Sequence, residues 1–204
     1  MKNIKWRILF ITSLVCLLSV LPGVIMWNSL PESVPIHFNI NNEPDNFAPK
    51  AVAVLLIPFL MLAVQIFVCV ICDISSQKHG QSKKLENVTK WIIPIISVVL
   101  QIATVMFAAG KQVDIRRVAV ALVSLEFLFM GNYLPKMNYI KNYKIDTATA
   151  RKINRFCGIT MVILGVMGLV SLLLPTGASI VWLALTLLSV IVILIYTLIQ
   201  IKKK

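Results

Sequence analysis

The chain is short of charge, and above all of acidic charge. Only 14% of its 204 residues are charged, against about 25% in soluble domains, and lysine and arginine outnumber aspartate and glutamate by 20 to 8. A mean hydropathy of +0.87 excludes an ordinary soluble domain. The basic residues stand in short clusters between long apolar runs, which is typical of membrane topology and not of a nucleic-acid-binding face. We therefore expect contact with a lipid bilayer and no direct nucleic acid binding.

Motifs of catalysis and cofactor binding are also lacking. The sequence has no glycine-rich phosphate loop, no His-Glu-x-x-His pattern and no recognisable Ser-His-Asp triad. Its four cysteines lie in or beside apolar runs, where cysteine behaves as a small hydrophobic residue. Cys69 and Cys72 have redox spacing, but they fall near the C-terminal end of a helix, where a thiolate is not stabilised. We predict no enzymatic activity and no cofactor.

Long apolar runs separate the clusters of charged residues. A run of about 20 apolar residues can cross a bilayer. Turn residues at 175–179 divide the last charge-free stretch in two. The sequence thus predicts an all-α integral membrane protein, a single membrane domain over residues 1–204 built as a bundle of six transmembrane helices. The helices are predicted at residues 8–27, 51–72, 91–109, 118–134, 156–174 and 180–201, with a structured extracellular loop at 28–50. Pro94 would then lie in a first helical turn, where proline is tolerated.

The distribution of lysine and arginine predicts the orientation, because cytoplasmic segments carry an excess of both. With the N-terminus inside, 16 of the 20 basic residues fall in cytoplasmic segments and 4 fall outside. We therefore predict a multi-pass protein of the cytoplasmic (plasma) membrane with both termini in the cytoplasm.

The extracellular loop carries four prolines, which stiffen it and discourage helix, and residues 33–40 are predicted to form a short strand. Its polar candidates for contact with a ligand are His37, Asn39, Glu43 and Asp45. Three of them (His37, Glu43 and Asp45) are also possible metal ligands, but three such residues on a loop are not a specific pattern. The alternative is a structured cap over the helix ends, and no metal site is predicted.

The polar side chains within the apolar runs include one charged residue, Glu126, and the amides Gln101 and Gln65. A carboxyl group at mid-bilayer costs about 2.5–3.5 kcal/mol on insertion scales, so Glu126 is expected to face the bundle and to find a partner. Gln101 is predicted to lie at the same depth, and the partner is expected to be Gln101 or another polar side chain. Glu126 is interpreted either as a neutral acid hydrogen-bonded to a neighbouring helix or as a proton or ligand site. Gly158 and Gly165 lie seven residues apart, which predicts a close helix crossing.

Two groups of residues resemble one bacterial family. The loop reads Leu-Pro-Glu-Ser-Val-Pro-Ile-His-Phe-Asn at residues 30–39, and Gly-Asn-Tyr-Leu-Pro-Lys and Asn-Arg-Phe-Cys-Gly stand at 131–136 and 154–158. These segments are similar to those of the SdpI-type immunity proteins, which protect bacilli against a sporulation-delaying toxin. The positions that match the family's motifs are Pro31, Pro35, Gly131, Asn132, Tyr133, Pro135, Lys136, Arg155 and Gly158.

The resemblance implies a membrane immunity protein that protects a bacterial cell against an extracellular peptide toxin or bacteriocin. It also implies a second role, in which the toxin-bound protein recruits a cytoplasmic repressor through the inner loop Lys136 to Arg155. That loop lacks the family's usual central segment and has Ala150 and Asn154 where the family has tryptophan and histidine. Contact with anionic lipid is therefore the simpler interpretation of its lysines.

A function of another class also fits the composition. A small membrane transporter or permease subunit would place Glu126, Gln101 and Gln65 along its pathway. The sequence lacks the internal inverted repeat that many transporters show.

Overall fold

The computed structural model describes residues 4–79, 83–137 and 146–202. Within these ranges, six helical segments are long and apolar enough to cross a membrane, so the predicted all-α membrane fold is confirmed. The helices are α1 (Trp6–Leu18) with α2 (Val20–Ile25), α3 (Ile57–His79), α4 (Lys83–Ala108), α5 (Ile115–Tyr133), α6 (Thr147–Ser171) and α7 (Thr176–Lys202). A π-helical segment, Val52–Leu56, which we call the π-turn, leads into α3.

These elements form two compact units. The first unit contains residues 4–73 and 90–119, and the second contains residues 74–89 and 120–202. The prediction of a single membrane domain stays a prediction.

The first span is interrupted at Ser19, between α1 and α2. Pro22 explains the position, because a proline ring clashes with the carbonyl four residues earlier and offers no N–H to it, and α1 ends at Leu18. The Ser19 hydroxyl donates to the carbonyl of Cys16 at 2.6 Å, so this buried hydroxyl has a partner within the same span.

The segment between the first two spans is a small antiparallel sheet. Strand β1 (Ser33–Phe38) pairs with β2 (Pro44–Pro49), from Ser33 opposite Pro49 to Phe38 opposite Pro44, with irregular register around His37. β1 was predicted, whereas β2 was not, because its two prolines argue against a strand. They stand at its first and last residues, where a missing N–H interrupts no ladder.

Five helices begin earlier than predicted, most of all α4, which begins at Lys83, and α6, which begins at Thr147. The shift is smaller for α1 and α5, and α7 begins at Thr176, so most of the turn predicted at 175–179 is helical. Hydropathy marks only the part of a helix that lies in hydrocarbon, so a helix that continues into the polar region is missed there. Asp146 caps α6 by accepting hydrogen bonds from the N–H groups of Ala148 and Thr149. The early start places Pro94 inside α4, so the expectation that it lies in a first turn is wrong.

In the second unit, α6 and α7 are joined by a short turn and pack side by side. The ring of Phe156 stacks on Tyr196 at 4.2 Å between centroids. Trp182 donates its indole N–H to the carbonyl of Leu164 at 2.7 Å. These contacts leave most of the α7 surface apolar and exposed, as expected for a helix that faces lipid.

Candidate functional site

The β-hairpin is held against the ends of the helices in the first unit. Val34 and Ala48 are paired across the two strands and are buried. Phe38 meets Phe107 of α4 edge to face, with ring centroids 4.8 Å apart. At the base of the hairpin, Lys50 donates to Glu32 at 2.9 Å. Because it is anchored at both its strands and its base, the hairpin is a fixed platform and not a loose loop.

The turn of the hairpin is organised by Asn39. Its side-chain carbonyl accepts from the N–H groups of Asn41 and Glu43, at 2.9 and 3.0 Å, and its amide donates to the Glu43 carboxylate at 2.9 Å. Such side-chain bonds to nearby backbone groups are how asparagine stabilises turns. Asn39 and Glu43 therefore shape the turn.

Asn42, at the tip of the turn, connects the hairpin to the segment between α4 and α5. It adopts a positive φ of 65°, which asparagine tolerates better than most residues. Its amide donates to the carbonyl of Val113 at 3.2 Å, and its side-chain oxygen accepts from the N–H of Arg116 at 3.3 Å. An open groove of about 550 Å³ lies here, lined by Asn42, Phe107 and residues 110–114.

The exposed face of the hairpin carries His37 and Asp45. Nδ1 of His37 and Oδ1 of Asp45 are in hydrogen-bonding contact, and the two side chains are 66% and 44% exposed. The contact is an ion pair whenever the imidazole is protonated. An exposed imidazole and an exposed carboxylate are groups that a polar or charged peptide can contact directly.

A second polar cluster is buried at the opposite end of the first unit. Asp73 and Lys90 form an ion pair with 2.7 Å between Oδ1 and Nζ, and their side chains are only 1% and 0% exposed. The other oxygen of Asp73 accepts from the backbone N–H of Lys5 at 3.1 Å. Since Lys5 is the N-cap of α1, the carboxylate lies at the positive end of that helix, where an anion is stabilised. One carboxylate thus connects α1, α3 and α4.

The two intramembrane glutamines each satisfy a carbonyl that a proline leaves free on the facing helix. In α4, Lys90 O would normally accept from residue 94, but Pro94 has no N–H. Gln65 of α3 supplies the missing donor, with 2.9 Å between Nε2 and Lys90 O.

The second glutamine lies in α4 and donates to a carbonyl of the π-turn that leads into α3. In the π-turn, the N–H of Ile57 bonds to Val52 O, and the next residue, Pro58, has no N–H to give to Ala53 O. Gln101 of α4 donates its amide to Ala53 O at 3.2 Å. Gln65 and Gln101 are 0% and 8% exposed, so both act in the interior of the unit.

Gln65 also joins α1 to this cluster. Its amide contacts Thr12 Oγ1 at 2.8 Å and Cys69 Sγ at 3.1 Å. Oε1 of Gln65 is buried without a hydrogen-bond partner in residues 4–79, 83–137 and 146–202. Buried interhelical hydrogen bonds of this kind hold membrane helices together where no hydrophobic effect acts between them.

The family-motif residues of the second unit form a close crossing of α5 and α6. A Cβ built on Gly131 would lie 2.6 Å from Gly158 O, and one built on Gly158 would lie 2.7 Å from Gly131 O and 2.6 Å from Pro135. Further along α6, a Cβ on Gly165 would lie 2.7 Å from Ser124 O. The close crossing predicted at Gly158 and Gly165 is therefore confirmed.

The remaining motif residues lie around this crossing. Lys136 donates to Asn132 at 3.2 Å, and its ammonium group lies 5.3 Å from the centre of the Tyr133 ring. Asn154, which stands where the resemblance expects histidine, donates to the carbonyl of Leu134 at 3.2 Å. Arg155 is exposed. Pro31 is exposed at the base of the hairpin and Pro35 is buried within β1.

Glu126 lies in the second unit and the two glutamines lie in the first. Oε1 of Glu126 is buried and has no hydrogen-bond partner among the described residues. The expectation of a hydrogen-bonded partner is therefore wrong for this atom. Gln101 instead donates to Ala53 O in the first unit, a carbonyl that Pro58 leaves without a backbone donor.

Comparison with known proteins adds two findings. Residues 14–62 match the family described as a domain of unknown function, DUF1648. The chain is 25% identical to the Immunity protein SdpI of Bacillus subtilis (strain 168) over 162 residues, which are 76% of this chain and 76% of that protein. The chain is an SdpI-like membrane protein. No solved structure matches it.

The DUF1648 match contains the whole hairpin of this SdpI-like chain. It runs from α1 across β1 and β2 and into α3. His37, Asn39, Glu43 and Asp45 all fall within it, whereas Glu126 and the glycine crossing lie outside. The family match therefore covers the platform, the end of α1 and the start of α3, and not α4 or the second unit.

Sequence reasoning missed the ion pair of Asp73 and Lys90 and treated both residues as charges that bound apolar runs. One signal was available. Counted from residue 81, the two residues lie 8 and 9 positions away, so in an antiparallel helix pair they are expected to be at nearly the same level. The functions of Gln65 and Gln101 were missed as well, although each lies opposite a span that contains a proline.

Proposed function

We propose that this protein is a membrane immunity protein that protects a bacterial cell against a peptide toxin or bacteriocin. The observation that carries the proposal is the similarity to Immunity protein SdpI along three quarters of both chains. The rigid hairpin with an exposed polar face supports it, because a protein that meets an external peptide needs an ordered accessible surface.

The proposal includes an orientation in the cytoplasmic membrane. The hairpin faces the cell exterior and both termini face the cytoplasm, as the 16 to 4 division of basic residues favours. The groove beside Asn42 then opens to the outside, and the end of the first unit that holds Asp73 and Lys90 faces the cytoplasm.

The proposed toxin-facing surface consists of His37, Asp45 and the groove between Asn42 and residues 110–114. His37 and Asp45 are exposed, and the groove is large enough for several side chains of a peptide. Asn39 and Glu43 support this surface through the turn that they form.

Loss of the gene tests the function directly. A strain lacking the gene is challenged with culture supernatants from related strains, and survival is compared with that of the parent and of a complemented strain. We expect sensitisation to one peptide and restoration by the wild-type gene. Unchanged survival together with altered uptake of a small solute would contradict immunity and favour a transporter.

Variants of the hairpin test the surface. His37→Ala and Asp45→Ala are expected to weaken protection, because they remove exposed groups of the proposed toxin-facing surface. They should leave the hairpin folded, because neither side chain forms the turn or the core. Lys83→Ala, exposed at the start of α4 on the proposed cytoplasmic side, is the matched control and is expected to protect fully. Full protection by both hairpin variants at equal membrane abundance would rule out contact through these two residues.

A signalling role is the second part of the proposal, in which the toxin-bound protein recruits a cytoplasmic repressor to residues 136–155. Residues 138–145 of this segment lie outside the described ranges. Within the described part, Arg151, Lys152 and Arg155 are exposed on the first turns of α6 and offer a basic surface. A fluorescently labelled cytoplasmic repressor should move to the membrane on addition of toxin, and no movement would contradict this role.

A further inference from the structure

A slot runs down the first unit beneath the hairpin. It has a volume of about 160 Å³ and is partly open, with Ile36 of β1 at one end and walls supplied by the π-turn with α3 and by α4. Most of its lining is aliphatic, including Ala53 and Met61 on one wall and Ile96 on the other. An apolar cavity of about 150 Å³ is large enough to take up a benzene-sized molecule.

Three of the residues that line the slot are polar, namely Ser97, Gln101 and Thr104. Gln101 donates to Ala53 O at 3.2 Å, and Ser97 donates to Ser19 at 3.0 Å. With two of the three bonded to the protein, few polar groups remain for a water molecule, which needs two to four polar partners. The chemistry of the slot therefore favours an apolar occupant.

The depth of the slot corresponds to one leaflet of a bilayer. α4 ends at Ala108, so at about 1.5 Å per residue Thr104 lies about 6 Å below that end and Ile96 about 18 Å below it. Half of the hydrocarbon core is about 15 Å thick. The slot thus extends from the level of the hairpin to about the middle of the membrane.

Lipid-facing residues stand beside the slot on both helices. Leu56 and Leu60 are 51% and 56% exposed, and Ile95 and Ile102 are 48% and 39% exposed. In a membrane these side chains contact acyl chains, so lipid chains are always present next to the slot.

We propose that the slot is a binding site for one acyl chain of a phospholipid from the leaflet on the hairpin side. The chain lies between α3 and α4, with its outer methylenes beneath Ile36 and its end near Ile96. It fills space that would otherwise be void between the hairpin platform and the two helices, and it makes van der Waals contact with Met61 and Thr104. The proposal does not depend on the immunity function.

Photolabelling tests the site. The full chain is reconstituted in phosphatidylglycerol vesicles that contain a phospholipid with a diazirine on one acyl chain, irradiated, and mapped by mass spectrometry. We expect adducts on Met61 and Thr104 in the slot as well as on the outward-facing Leu60 and Ile102. Adducts confined to Leu60 and Ile102 in the wild-type protein would overturn the proposal.

Filling the slot provides the matched comparison. Ala53 is 3% exposed and lines the slot, so Ala53→Leu should reduce adducts on Met61 and Thr104 severalfold and leave those on Leu60 unchanged. Ala63→Leu makes the same change at an exposed position of α3 and should leave all four sites labelled. Should Ala53→Leu fail to fold, Thr104→Leu is used in its place, because it fills the slot from the α4 wall. Undiminished labelling of Met61 in a folded slot-filling variant would also overturn the proposal.

Discussion

Replacing Gln65 by leucine should destabilise the first unit, and the size of the effect should depend on Pro94. Gln65 donates to Lys90 O, which lacks its helical donor because Pro94 has no N–H. Gln65→Leu removes that donor and leaves a buried carbonyl unpaired. Pro94→Ala supplies a backbone N–H in α4 that can bond to Lys90 O, so the same loss should matter less in that background.

The magnitude follows from two opposing contributions. Leaving a buried carbonyl unpaired costs about 1–3 kcal/mol, but leucine also removes Oε1, which has no partner among the described residues. Interhelical hydrogen bonds in a membrane protein average about 0.6 kcal/mol in double-mutant cycles. We therefore expect Gln65→Leu to lower the free energy of unfolding by about 1–2 kcal/mol, and the coupling with Pro94→Ala to be about 0.5–1.5 kcal/mol.

The assay is reversible unfolding in mixed detergent micelles of the wild type, both single variants and the double variant. Gln101→Leu is the control, because its acceptor is Ala53 O, and its effect should add to that of Pro94→Ala within about 0.5 kcal/mol. Additive effects of Gln65→Leu and Pro94→Ala would refute the argument that the glutamine satisfies the carbonyl freed by the proline.

Three further predictions concern the helix crossing, the buried ion pair and the topology. Gly158→Ala should destabilise the second unit by about 1–3 kcal/mol, because its Cβ would lie 2.7 Å from Gly131 O. Gly177→Ala is the control and should be neutral, because its Cβ would meet nothing within 4 Å among the described residues. Both are measured by thermal unfolding in detergent. Lys90→Met should lower stability by about 3–5 kcal/mol by leaving Asp73 buried without this cation, and Asp73→Leu combined with Lys90→Met should recover part of the loss; equal loss in the double variant would count against the ion pair. A reporter that is active only outside the cytoplasm should be active when fused after Asn41 and inactive when fused after Lys204, and activity at the tail would disprove the proposed orientation.

The spans and one strand of the hairpin followed from the sequence because each depends on local properties. Twenty apolar residues in a row specify a membrane helix wherever it packs, and the alternation around Ser33 to Phe38 specifies an extended segment. Even the close crossing at Gly158 and Gly165 could be predicted, since two glycines on one helical face leave room for the backbone of a neighbouring helix.

The polar interior of the first unit was not predictable in the same way. Whether Gln65 satisfies Lys90 O depends on which helices are neighbours and at what level they meet, and hydropathy carries no such information. The position of Pro94 depended on where α4 begins, and the charged residues from Lys83 onwards concealed that start. The partner proposed for Glu126 rested on equal depth alone, and depth does not specify which faces of two helices meet.

The most direct test of the account is a survival curve for a toxin-sensitive strain, without immunity of its own, that expresses this chain. Cells with the wild-type protein should survive concentrations of the purified peptide that kill cells with the empty vector. Cells with His37→Ala or Asp45→Ala should die at intermediate concentrations, although their membranes contain as much protein. Identical curves for the wild type and the empty vector, at confirmed membrane abundance and with every peptide to which the parent strain is resistant, would contradict the immunity function.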